Sequence, residues 1–118
     1  MAAQGVIRAR RVMRAAGDSR KWLRVTEIGW ATGGPPVAGL PFRTTLAGQA
    51  LRLRRMYTAL INRRRRYRID GVYWFALRDR RRQADERDWW GWHTGLLRVS
   101  GPPKRAWWTL VRLTRRYR

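Results

Sequence analysis

The 118-residue chain has no cysteine, which excludes a disulfide framework and any Cys-based zinc site. It has one histidine, His93, so a Ser–His triad has a single possible base and a His-rich metal site is ruled out. Neither a metal nor a cofactor is expected. Acidic residues number 7 against 28 basic ones. No apolar run approaches the ~20 residues that would span a membrane. The opening stretch, MAAQGVIRARRVMRAAG, lacks the apolar core of a signal peptide and begins in the middle of a helical pattern.

Against these absences stand a hydrophobic content of 44% and eight tryptophans. That is too apolar for a basic disordered tail. The length allows one ordinary domain at most. The formal charge is +21, and the bases are arginine except at Lys21 and Lys104. Two readings of this charge stay open. One is a solvated surface written in arginine; the other is a nucleic-acid surface.

Val6, Ala9, Met13 and Ala16 share a helical face, and Gly17 is a stop, so a helix is predicted over Gln4 to Ala16. Lys21 to Ile28 reads as a strand. Leu23, Val25 and Glu27 share one face; Trp22, Thr26 and Ile28 share the other, where Arg24 fits poorly if that face is buried. Gly29 to Pro41 is a loop. Thr44 or Thr45 can cap a helix whose stripe is Leu46, Ala50, Leu53, Tyr57, Leu60 and Ile61, ending near Asn62. In IDGVYWFAL, 69 to 77, both faces are apolar or aromatic, as in a strand of a parallel sheet covered by helices. Residues 78 to 95 are a polar loop. Leu96 to Val99 is a short extended piece. Pro103 suits the first turn of a last helix, with Ala106, Leu110, Leu113 and Tyr117 on one face.

The order is α/β: two βα units after a leading helix, with parallel strands. Two such strands cannot close a sheet, and an open pair leaves long unpaired edges. The chain therefore reads as part of something larger.

Three motifs carry a resemblance. TEIGW (26 to 30), GVYWFALRD (71 to 79) and GLLRVSGPPKRAWWTL (95 to 110) occur in that order. Together they resemble the C-terminal end of a retaining glycoside hydrolase with a (β/α)8 TIM barrel. The clan includes cellulases, mannanases and β-xylosidases. The resemblance implies that residues 1–118 are the C-terminal portion of the catalytic domain, holding strands seven and eight with their flanking helices. It departs from the usual pattern at Ser100, in place of an acid, and at Arg105, in place of a proline.

The resemblance implies that Glu27 is the nucleophile, at the C-terminal end of a barrel strand where such active sites lie. It would attack the anomeric carbon, with a second carboxyl group ~5–5.5 Å away protonating the leaving oxygen. Nearby arginines would keep it ionised. The bland reading of Glu27 is a buried carboxylate in an ion pair. Trp74 is implied as a sugar platform, since the C–H face of a pyranose packs on an indole; the alternative is plain core. Trp30 would border the site. Trp89, Trp90 and Trp92 either line further sugar subsites or fasten their loop. His93 is read as a loop hydrogen-bonder, and Asp79 as the partner of an arginine in RDRRR.

The clan's acid/base glutamate, usually preceded by asparagine, has no counterpart here; the other glutamate, Glu86, lies in the polar loop QADERD. A full barrel has ~250 residues. The chain alone is therefore expected to be inactive and poorly folded, with carbohydrate the substrate of the complete protein. Members of the clan are often secreted, but nothing in the chain names a compartment. The rival reading is a small Arg-rich nucleic-acid-binding protein, on the strength of RRRRYR (63 to 68), RDRRR (78 to 82) and the interleaved aromatics. Phosphate attraction at low salt follows from the charge alone.

Overall fold

The computed structural model describes residues 2–34, 42–81 and 91–117. It is a mixed α/β structure with three α-helices and two parallel strands. They are α1 (Ala2–Ala15), β1 (Leu23–Ile28), α2 (Leu46–Tyr67), β2 (Ile69–Trp74) and α3 (Arg105–Arg116), with one turn of 3-10 helix at Gly91–His93. The strands pair in a two-stranded sheet. The chain divides into two compact units: 1–28 with 55–73, and 29–54 with 74–118.

In the first unit α1 ends as its sequence predicts. Gly17 takes φ 84, a left-handed conformation that glycine adopts without strain. The buried stripe differs from the expected one. Arg10 is 1% exposed, whereas Ala9 and Ala16 are exposed. The reason is that Arg10 has work inside. Its Nε and Nη2 donate to the Tyr67 carbonyl at 3.0 and 2.7 Å, and Nη2 also donates to the Lys21 carbonyl at 2.8 Å. One guanidinium thereby joins α1, the turn before β1 and the last turn of α2, whose carbonyls lack helical partners.

Helix α2 runs on to Tyr67 rather than stopping near Asn62. Arginine is a good helix former, and cations in the last turn oppose the negative end of the helix dipole. Arg63 to Arg66 are all exposed. Arg68, at φ 51, turns the chain out of the helix, and its guanidinium stacks over the Trp22 ring at 4.6 Å.

The strands are shorter and more open than expected. β2 ends at Trp74, and Tyr73 and Leu77 are 52% and 60% exposed. A two-stranded sheet gives them too little to pack against, so β2 is not buried on both faces. The same openness accounts for Arg24: it is exposed and donates from Nη2 to the Asp70 carboxylate at 2.7 Å. That bond pulls Asp70 below its ordinary carboxylate range.

In the second unit the start of α2 carries Gln49 and Leu53, both fully buried. Thr45, not Thr44, is the cap: its Oγ1 accepts from the Gly48 N–H at 3.0 Å. Leu97 forms isolated bridges to Arg78 and Pro103 rather than a strand. Pro103 is held in that bridge, so α3 begins at Arg105 with Lys104 at its N-cap. The buried face of α3 is Ala106, Thr109 and Leu113, while Tyr117 is 37% exposed.

Candidate functional site

Glu27 is the penultimate residue of β1. Along the strand burial alternates as far as Thr26; Glu27, which the alternation would turn inward, is exposed, and Ile28 is buried. Among the described residues Glu27 has no hydrogen-bond or ion-pair partner, although the chain carries 28 bases. The buried, ion-paired carboxylate of the bland reading is thus not what β1 presents among the described residues, and no described arginine pairs with Glu27. The strand positions a solvated carboxylate that nothing in the described structure uses.

The aromatic residues of the candidate site belong to the second unit. Trp30 and Trp74 are half-buried and lie with ring centroids 6.0 Å apart, tilted by 43°. Backbone carbonyls fix both. Trp74 Nε1 donates to the Thr94 carbonyl at 2.9 Å. Gln49 Nε2 donates to the carbonyls of Trp30 and Thr94 at 2.9 and 3.2 Å. Each indole is therefore held by its polar atom or its own backbone while part of its surface stays accessible.

Trp92 stands differently. It is 1% exposed and fills the core of this unit, so it presents no ring face to a sugar. Of its two readings, fastening the loop is the one its burial fits. Trp89 and Trp90 lie outside the described residues, as does Glu86.

Asp79 is not paired with an arginine of RDRRR. Its Oδ1 accepts from Lys104 Nζ at 2.7 Å and from the Gly95 N–H at 2.9 Å. The side chains of Lys104 and Asp79 are 1% and 10% exposed. Lys104 Nζ also donates to Thr32 Oγ1 at 2.8 Å and to the His93 carbonyl at 3.2 Å. Burial pushes the Lys104 ammonium below its usual range, against the Asp79 bond and charge, which act to raise it. This ammonium ties the segment after Trp30, the segment after β2 and the 3-10 turn to the start of α3. Gly95 is required here, because a Cβ at that position would strike the backbone nitrogen of Asp79. His93 takes part through its carbonyl, which also accepts from the Thr32 N–H at 2.9 Å.

Sequence patterns gave no notice of Arg10, which sits among other arginines on α1, or of Gln49, a polar residue inside the apolar run of residues 46–51. Lysine identity gave no signal either, since the other lysine, Lys21, is exposed; at Lys104 a compact ammonium with three donors matches the three acceptors it meets.

Among the described residues no three His, Asp or Glu side chains gather as a metal site, and no helix is long and apolar enough to cross a membrane. No known protein family, characterised protein or solved structure matches the chain.

Proposed function

We propose that the chain carries the nucleophile side of a retaining glycoside hydrolase active site, built on strands seven and eight of a (β/α)8 barrel. The observation that carries the reading is Glu27: a solvated carboxylate, with no side-chain partner among the described residues, near the end of a parallel strand in a strongly basic chain. Within the second unit the Trp30–Trp74 pair supports it, since two tilted, partly accessible indoles, Trp74 held by its N–H on the Thr94 carbonyl and Trp30 through its own carbonyl on Gln49, suit the apolar face of a sugar ring. The sheet supports it too, for a two-stranded parallel sheet leaves an edge on each strand for neighbours to complete.

In this mechanism Glu27 attacks the anomeric carbon, the bond to the leaving oxygen breaks, and a glycosyl ester forms on Glu27. A second carboxylic acid, supplied from outside this chain, protonates that oxygen and then activates the water that hydrolyses the ester. Without it the chain forgoes ~10²–10⁴-fold of rate. The 118-residue chain by itself is therefore inactive in this reading.

The test uses the native product, captured from its own cells with an antibody against the C-terminal peptide. Its intact mass is read, and it is assayed on a panel of aryl glycosides beside the same product carrying E27Q. Hydrolysis that E27Q abolishes is the expected result. Hydrolysis that survives E27Q, or captured material with no glycosidase activity, overturns the proposal.

A further inference from the structure

The groove between the first half of α2 and α3, in the second unit, takes no part in the chemistry of Glu27. Ala50, Leu51 and Arg54 line it from α2. Thr109, Arg112, Leu113 and Arg116 line it from α3, at the i, i+3, i+4, i+7 spacing of a single helical face. Its volume is about 380 Å³, within the ~300–1,000 Å³ typical of small-molecule sites. Three guanidinium groups therefore share one groove with three apolar side chains, and among the described residues no carboxylate lines it. Among the described residues none of the three arginines has an acidic partner. Among the described residues Arg112 reaches only the Thr109 hydroxyl, at 3.4 Å, and Arg116 lies over the Tyr117 ring at 5.6 Å.

We propose that this groove binds a small amphiphilic phosphate or pyrophosphate ester. The three arginines would hold the phosphoryl oxygens, and Ala50, Leu51 and Leu113 would take a hydrocarbon body. Like charges lining one groove repel, so an anion between them is favoured over empty solvent. The number of arginines selects the anion. A single guanidinium satisfies a carboxylate through two parallel hydrogen bonds. Three guanidinium groups call for more oxygens and more charge, which a phosphoryl group supplies. The apolar lining selects the body. A bare polyanion would leave Leu51, which is 37% exposed, facing water.

The test is arginine footprinting of the full chain with phenylglyoxal at about 150 mM salt, where charges more than ~8 Å apart are largely screened. The probes are geranyl pyrophosphate, inorganic pyrophosphate and geraniol. Geranyl pyrophosphate is expected to protect Arg54, Arg112 and Arg116 and to leave Arg63 to Arg66 reacting as before. Inorganic pyrophosphate is expected to bind about tenfold more weakly or worse, because it leaves the apolar lining unused. R112A/R116A should weaken geranyl pyrophosphate about tenfold or more. R64A/R65A removes the same charge outside the groove and should stay within about twofold. Circular dichroism confirms helix content in both variants, and the footprint on the unmodified chain needs neither. Protection of none of the three arginines, uniform protection of all arginines, equal affinity for the two pyrophosphates, or equal loss in both double variants would overturn the proposal.

Discussion

Replacing Arg10 with methionine isolates what a buried guanidinium contributes to the first unit. Methionine keeps most of the aliphatic volume and removes every donor. Two acceptors then lose their partner: the Tyr67 carbonyl, reached at 3.0 and 2.7 Å, and the Lys21 carbonyl, reached at 2.8 Å. A hydrogen bond from a charged donor contributes ~1.5–3 kcal/mol net, so two lost acceptors give about 3–6 kcal/mol as an upper figure. An opposing term reduces it. Arg10 is 1% exposed and meets no carboxylate among the described residues, and burying such a charge costs several kcal/mol that methionine does not incur. The expected loss is about 2–4 kcal/mol, a large share of the ~5–15 kcal/mol that holds most domains together.

The assay is urea unfolding followed by far-UV circular dichroism and tryptophan emission. A stabilising osmolyte in the buffer keeps even a marginal wild type folded at zero urea. The midpoint should fall by about 1–2 M with the slope unchanged. R10K should fall between the two, since a single ammonium cannot span the carbonyls as a planar fork does. An R10M midpoint within the ~0.5 kcal/mol expected of an idle surface position would refute the reasoning. It would mean that desolvation of the guanidinium cancels its bonds.

Three further outcomes are expected. D79A, which strands the buried Lys104 ammonium, should cost ~3–5 kcal/mol, and D79L/K104M should recover part of that loss; a double variant less stable than D79A would show that the pair is worth more than its burial costs. Burial pushes the Tyr57 phenol up to about 12. The folded state therefore keeps its proton where the unfolded state has lost it, and the associated stability is intact below pH ~10 and lost as the pH rises toward ~12. In urea midpoints read across that window, Y57F should flatten the decline, and an identical decline in both proteins would contradict the assignment. Binding to random duplex DNA should collapse by ~10³-fold or more between about 50 and 200 mM salt with no sequence preference; affinity that survives and discriminates between sequences would favour a dedicated nucleic-acid role.

Where sequence periodicity was strong, it located the elements well. Gly17 ends α1, Thr45 caps α2, and the Leu46 to Ile61 stripe lies on the helix where its spacing put it. The errors have a common physical source, which is that side-chain type does not reveal whether a polar group has a buried partner. Arg10 looks like one more solvated base until the Tyr67 and Lys21 carbonyls are brought to it. Asp79 lies within RDRRR yet bonds a lysine 25 residues away. The expected burial of β2 on both faces assumed covering layers, and a two-stranded sheet leaves Tyr73 exposed. Of the candidate site, the position of Glu27 near the end of a strand was legible in the residues. Its solvation was not, because alternation along β1 breaks at Glu27 itself. Trp92 could not be told from Trp30 by sequence, since an indole suits both a core and a rim.

The most direct test of the nucleophile role proposed for Glu27 is covalent trapping. The native product is incubated with 2,4-dinitrophenyl 2-deoxy-2-fluoroglycosides, digested, and searched for a glycosyl adduct. Dinitrophenolate departs without a proton, so the trap does not depend on the acid/base partner, and the fluorine slows hydrolysis of the ester. An adduct on Glu27, absent from E27Q, is the result the account predicts. An adduct on another carboxylate, or none on Glu27 with any sugar of the panel, would contradict it.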